Sequence, residues 1–113
     1  MQIKVSKNSC DVYLLQLSGM LDISGADQLK DVVMKVYKNK VERFIIDMCD
    51  IKSVDSSGIG ALISIFSTLR KLSCPLVIIA VEGPVMHALE TSRIKGYFTI
   101  ARSMQEAVSL LGA

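Results

Sequence analysis

Read for polarity alone, the chain alternates short β-like apolar runs with longer stretches whose apolar residues recur every three to four positions. Ile3 to Val5 and Val12 to Leu17 are two such runs. The polar segment Ser6 to Asp11 between them predicts a hairpin. Gly19-Met20-Leu21-Asp22 closes the second strand. From about Gly25 to Asn39, Ala26, Leu29, Val32, Val33, Val36 and Tyr37 share one face of a helical wheel. Asp27, Asp31, Lys35 and Lys38 fall opposite, so an amphipathic helix is predicted, capped by Asp22 or Ser24.

Phe44 to Met48 reads as a strand, followed by a short polar loop and a second helix over Ile59 to Leu72. Pro75 stops that helix. Leu76 to Val81 is short, apolar and β-branched, the pattern of a strand buried on both faces. Gly83-Pro84 opens a short helix to about Ser92, with proline in its first turn. Gly96 breaks the pattern, Phe98 to Ile100 makes a last short strand, and Ser103 caps a helix carrying Ala107, Val108, Leu110 and Leu111. No internal repeat or low-complexity segment stands out. The order β-β-α-β-α-β-α-β-α predicts an α/β fold in a single domain over 1–113. Its sheet is mixed, with four to five strands, parallel strands in its centre, right-handed crossovers and about four helices.

Composition narrows what such a domain does. At 113 residues the chain buries roughly two thirds of its surface, enough for a two-layer core. Half its residues are apolar, which argues against disorder. The net charge of +2, the scattered basic residues and the lack of tryptophan give no footprint for nucleic acid. The N-terminus has no signal-peptide pattern and the longest apolar run, Leu76 to Val81, is far short of a membrane span. A cytoplasmic protein without membrane insertion is therefore expected. Cys10, Cys49 and Cys74 are widely spaced and there is one histidine, so neither a metal site nor a cofactor is expected. Cys49 and Cys74, beside apolar strands, read as buried free thiols.

The most informative stretch is Asp55-Ser56-Ser57-Gly58-Ile59-Gly60. It lies where the third strand hands over to the second helix. A serine there stands at a helix N-terminus, where unpaired N–H groups and the helix dipole favour negative charge. A phosphate on Ser56 would be tolerated by the fold and visible to a partner. The plainer reading is a helix cap, worth about 1 kcal/mol. Yet one cap needs one side chain, and three polar candidates stand in a row. Two glycines in the first turn also cost the helix roughly 1 kcal/mol each. That cost suggests that another backbone or a phosphate must come close.

On the second helix, Ile59, Leu62, Ile63, Phe66 and Leu69 are the predicted core face. The opposite arc holds Ser57, Gly60, Ser64, Ser67, Thr68 and Lys71, nearly all small. Such a smooth face suits docking, since little side-chain entropy is lost when a partner covers it; an ordinary solvated face is the alternative. Ala61 and Ile65 are expected at its border, and Met34 on the first helix is a weaker contact of the same kind. A serine hydrolase is not supported. The nucleophile-elbow pattern is absent, and His87 reads as a structural histidine. No P-loop pattern is present, and Asp22, Asp47, Asp50 and Asp55 lie near strand ends, where capping is the default. No catalytic residue is assigned.

Taken together, these pieces resemble the STAS-domain family, most of all its bacterial anti-sigma factor antagonists. Gly19-Met20-Leu21-Asp22 matches the family's Gly-x-(Leu/Ile)-Asp turn, and Phe44 to Met48 its central strand. Val54 to Gly60 matches its Asp-Ser-(Ser/Thr/Ala)-Gly-(Leu/Ile)-Gly signature, and the likeness covers essentially the whole chain. The resemblance implies a STAS-like fold and makes Ser56 the phosphorylation site. It implies that the unphosphorylated protein binds an anti-sigma factor that is itself an ATP-binding serine kinase. The sigma factor is released, phosphorylation ends the binding, and a serine phosphatase resets the switch. Asp22 is carried over as a residue near the acceptor. The implied partner-binding set is Asp22, Asp55, Ser56, Ser57, Gly58, Gly60 and Ser64. The sequence departs from the family at Met20, where an acidic or polar residue is common, and at Ser73-Cys74-Pro75, where many members have a Gly-rich turn. The alternative within the family is a scaffold or soluble subunit of a sensory or membrane-transport complex.

Overall fold

Strand β1 (Gln2–Lys7) pairs antiparallel with β2 (Val12–Leu21), placing Ile3 opposite Leu17 and Val5 opposite Leu15. A computed structural model describes residues 1–8, 11–39 and 42–112; Cys10 and part of the expected hairpin loop lie outside them. β2 is followed by α1 (Ile23–Tyr37), β3 (Arg43–Val54), α2 (Ser56–Lys71) and β4 (Leu76–Ile79). Then come α3 (Pro84–Thr91), a 3₁₀ turn (Lys95–Tyr97), β5 (Ile100–Ala101) and α4 (Met104–Leu110). The five strands form one sheet in sequence order, parallel from β2 to β5, with β1 as the antiparallel edge.

The alternation of side chains along β3 separates two cores. Phe44, Ile46 and Met48 join Leu15, Leu29, Leu62 and Leu89 in the larger cluster, which α1, α2 and α3 cover. Ile45 points to the other face, with Val12, Val77, Ile79 and Ala101, where Ala107 of α4 closes over it. That is why residues 44–46 and all of β4 read as unbroken apolar runs: both faces are covered.

Several boundaries and positions differ from the pattern-based expectation. β3 does not end at Met48 but continues to Val54, and the expected polar loop is strand. Its polarity reflects a face that the second, smaller core does not reach. Cys49 stands on that stretch and is exposed rather than buried, while Cys74 is buried as expected. α2 begins at Ser56, three residues before the apolar periodicity starts, because its cap lies outside that periodicity. Ala61 and Ile65 are buried rather than bordering an open face, because α1 as well as the sheet packs on α2. The centre of the buried stripe moves accordingly, leaving Ile59, Ile63 and Phe66 half-buried. On the predicted face of α1, Ala26, Leu29, Val33 and Val36 are buried and Val32 and Tyr37 half-buried, and Asp22 rather than Ser24 is the cap.

Candidate functional site at two helix N-termini

The site is built by an irregularity in the β2–β3 pairing. Gln16 pairs with Asp47, but Ser18 pairs with Asp50 and Met20 with Ser53. β3 thus gains one extra residue at each of two bulges, and the strands finish level, Leu21 beside Val54. The next residue of each strand is an aspartate that caps a helix. Asp22 Oδ1 accepts a hydrogen bond from the Gly25 N–H at 2.9 Å. Asp55 Oδ1 accepts one from the Gly58 N–H at 3.0 Å. Both aspartates have extended backbones, as N-caps do.

The two turns therefore carry the same short pattern, Asp22-Ile23-Ser24-Gly25 and Asp55-Ser56-Ser57-Gly58. This duplication escapes a search for repeats because it is four residues long. The signal is nonetheless there: an Asp-x-Ser-Gly quartet after each of two strands. The glycines have a steric reason. A β-carbon on Gly58 would stand 2.3 Å from the Leu21 carbonyl oxygen, and one on Gly25 2.9 Å from that of Met20. The start of α2 is also tied to β2 by a hydrogen bond from the Asp55 N–H to the Leu21 carbonyl at 3.3 Å. Of the two glycines near the start of α2, Gly58 thus answers to a neighbouring backbone. Gly60 has nothing within 4 Å of where its β-carbon would be.

Ser56 is the first residue of α2 and is exposed; Ser57 is half-buried. No acidic side chain occupies the first turn of α2, so the cap Asp55 is the nearest negative charge along the chain. Gly60 and Ser64 follow Ser56 at helical spacing and are exposed too. Asp22 is half-buried on the adjacent turn. Two large apolar side chains on that turn were not predicted as part of the site: Met20 is 55% exposed and Ile23 66%. Ile23 holds in α1 the position that Ser56 holds in α2. His87 lies on α3 with Nε2 3.5 Å from the Thr91 hydroxyl. Among the described residues no three His, Cys, Asp or Glu side chains are grouped to hold a metal ion, and no helix is long and apolar enough to cross a membrane.

The sequence model of the STAS domain family matches residues 3–107. This chain belongs to the STAS family. Solved STAS-like structures superpose on it over nearly its whole length. An anti-sigma factor antagonist from Mycobacterium paratuberculosis shares 16% identity at a TM-score of 0.88, covering 99% of this chain and 94% of its own. The Bacillus cell fate determinant SpoIIAA in its phosphorylated form shares 17% at 0.71, with 97% and 99% covered. A sulfate transporter family protein from Wolinella succinogenes shares 18% at 0.74, with 93% and 87% covered. At these identities the likeness is one of fold. Within this STAS domain the two sequence departures acquire locations. Met20 is an exposed apolar residue beside the capping turn, and Ser73 takes a left-handed backbone (φ 56°) that closes α2.

Proposed function

We propose that this STAS domain is an anti-sigma factor antagonist controlled by phosphorylation of Ser56. In its unmodified form it binds an anti-sigma factor that is an ATP-dependent serine kinase, and so frees the sigma factor. The observation that carries this reading is the exposed Ser56 at the first position of a 16-residue helix, next to a half-buried Ser57. In the transfer, the Ser56 oxygen forms a bond to the γ-phosphorus of ATP, the bond to ADP breaks, and the hydroxyl proton passes to a base of the kinase. Asp22 and Asp55 already serve as caps, so the domain acts as substrate and contributes no catalysis. A phosphatase returns the hydroxyl by hydrolysis. All of this would take place in the cytoplasm.

The chemistry of the site explains how one phosphate separates the partners. It adds about 1.5 to 2 negative charges and three strong acceptors. The N-terminus of α2 offsets this by up to ~2 kcal/mol, so the fold tolerates it. A partner that covers Ser56 together with Met20 and Ile23 excludes water from the phosphate. Beside Asp55 and Asp22, the dianion then meets like charge in a desolvated interface, which costs several kcal/mol. Binding is lost while the domain stays folded. The partner-binding set is Asp22, Asp55, Ser56, Ser57, Gly58, Gly60 and Ser64, with Gly58 acting through the backbone position it permits.

The test is incubation with the cognate kinase and ATP, followed by peptide mapping by mass spectrometry. Phosphate on Ser56 is expected; phosphate on Ser57 alone overturns the assignment. The fold shared with a sulfate transporter family protein favours a second reading, a soluble subunit of a transport complex. Co-purification with a membrane fraction in place of a kinase would select it.

A further inference from the structure

At the end of α2 opposite Ser56 the sheet is incomplete. β5 has only two residues and pairs with Ile78 and Ile79, so Leu76 and Val77 have a strand neighbour on the β3 side alone. The gap is a groove of about 580 Å³, within the usual range for small-molecule sites. One wall is aromatic. The Phe66, Tyr97 and Phe98 rings lie 5.2–5.3 Å apart in a mutually tilted cluster, and the Tyr97 hydroxyl is held by the Ser67 hydroxyl. Leu110 of α4, 53% exposed, also lines the groove.

Among the described residues one charged side chain lines this groove, Arg70, and no acidic side chain does. Among the described residues Arg70 takes part in none of the ion pairs. It sits in the last turn of α2, whose carbonyls would otherwise repel an anion. A planar cation beside aromatic walls is suited to a flat anionic head with an apolar body. A single cation does not match a dianion such as a phosphate monoester. We propose that this groove is a binding site for small amphipathic monocarboxylates, with the carboxylate on Arg70 and an aromatic or branched body against Phe66, Tyr97 and Leu110.

The test is an amide NMR titration of the full chain with 4-phenylbutyrate, its neutral amide 4-phenylbutyramide, and inorganic phosphate. The carboxylate is expected to shift Arg70, Gly96, Thr99 and Leu111 with a dissociation constant of millimolar order. The amide and the Arg70→Met variant are each expected to weaken binding about fivefold, and inorganic phosphate alone to leave these resonances in place. Equal affinity of amide and acid, unchanged binding by Arg70→Met, or no localised shift would overturn the proposal. So would shifts of the same amides on raising protein concentration without any probe, which would give the groove to a second copy of the chain. None of these readouts involves Ser56, so the phosphorylation reading stands or falls separately.

Discussion

The carbonyl oxygen of Leu21 lies 2.3 Å from the place a β-carbon would take on Gly58. The end of β2 and the start of α2 are therefore packed backbone to backbone, with the Leu21 side chain also against Gly58. Gly58→Ala forces one of the two backbones to move. It is expected to destabilise the domain by ~1–3 kcal/mol, the cost of overpacking. Gly60→Ala meets nothing within 4 Å and is expected to stabilise α2 by ~0.5–1 kcal/mol. Urea denaturation of the two variants gives opposite signs; equal signs would remove the steric account of Gly58.

The caps of α1 and α2 are chemically the same, and so are their expected costs. Asp22→Ala and Asp55→Ala each lose one side-chain acceptor at a helix start, worth ~1 kcal/mol. Asn at either position keeps most of that. Urea denaturation should show each Ala variant losing ~1 kcal/mol and each Asn variant much less; an Ala variant as stable as the parent would contradict the cap.

Two helices end on non-glycine residues in the left-handed region, Ser73 after α2 (φ 56°) and Arg93 after α3 (φ 59°). In both, the next residue's N–H bonds back to the carbonyl five residues before: Cys74 to Leu69 and Ile94 to Leu89. Ser73→Gly and Arg93→Gly relieve the strain and are each expected to raise stability by ~1 kcal/mol. A fall in the thermal midpoint for either would contradict this.

Phosphorylation should be mimicked at one serine only. Ser56→Asp is expected to keep the folded domain within ~0.5 kcal/mol of the parent, because a carboxylate suits the first turn of a helix. It is expected to bind the kinase partner at least about tenfold more weakly, with ~1.4 kcal/mol lost, while Ser56→Ala binds without release. Calorimetry showing equal affinity for both variants would exclude the electrostatic switch.

The exposed Cys49 should be a poor nucleophile near neutral pH. Partial burial of the thiol, then its hydrogen bond to Asp47 and the charges of Asp47 and Asp50, push it up to about 11 from 9.0. At pH 8 its thiolate is then about 100-fold scarcer than in an unperturbed cysteine. In a Cys10→Ser background, the iodoacetamide alkylation rate at Cys49 should keep climbing with pH up to about 11. A plateau near pH 9 would refute the shift.

Element types and their order were legible because apolar periodicity and the markers Pro75, Pro84 and Ser103 agree with each other. The cap that starts α2 was legible as well, since Asp55, Ser56 and Gly58 form a cap pattern between a strand and a helix. What escaped was information held between strands. The bulges in β3 follow from pairing with β2, and residues 49–53 look like loop when β3 is read alone. Cys49 was misplaced for the same reason. The roles of Met20 and Ile23 depend on which turn lies beside Asp55. That adjacency arises only when β2 and β3 finish level.

Levelling by bulges has a corollary for how such motifs should be recognised. Removing one residue between Cys49 and Ser53 would preserve the quartet after Val54 letter for letter. With both bulges retained, it would also slip the register by one, inverting the facing of the β3 side chains beyond the deletion and carrying Asp55 and its helix out of step with β2. A chain altered in that way would still score as possessing the hydroxyl-bearing signature, yet present a different surface. Conservation of spacing upstream of the motif is therefore a stricter criterion for a working acceptor than the motif itself.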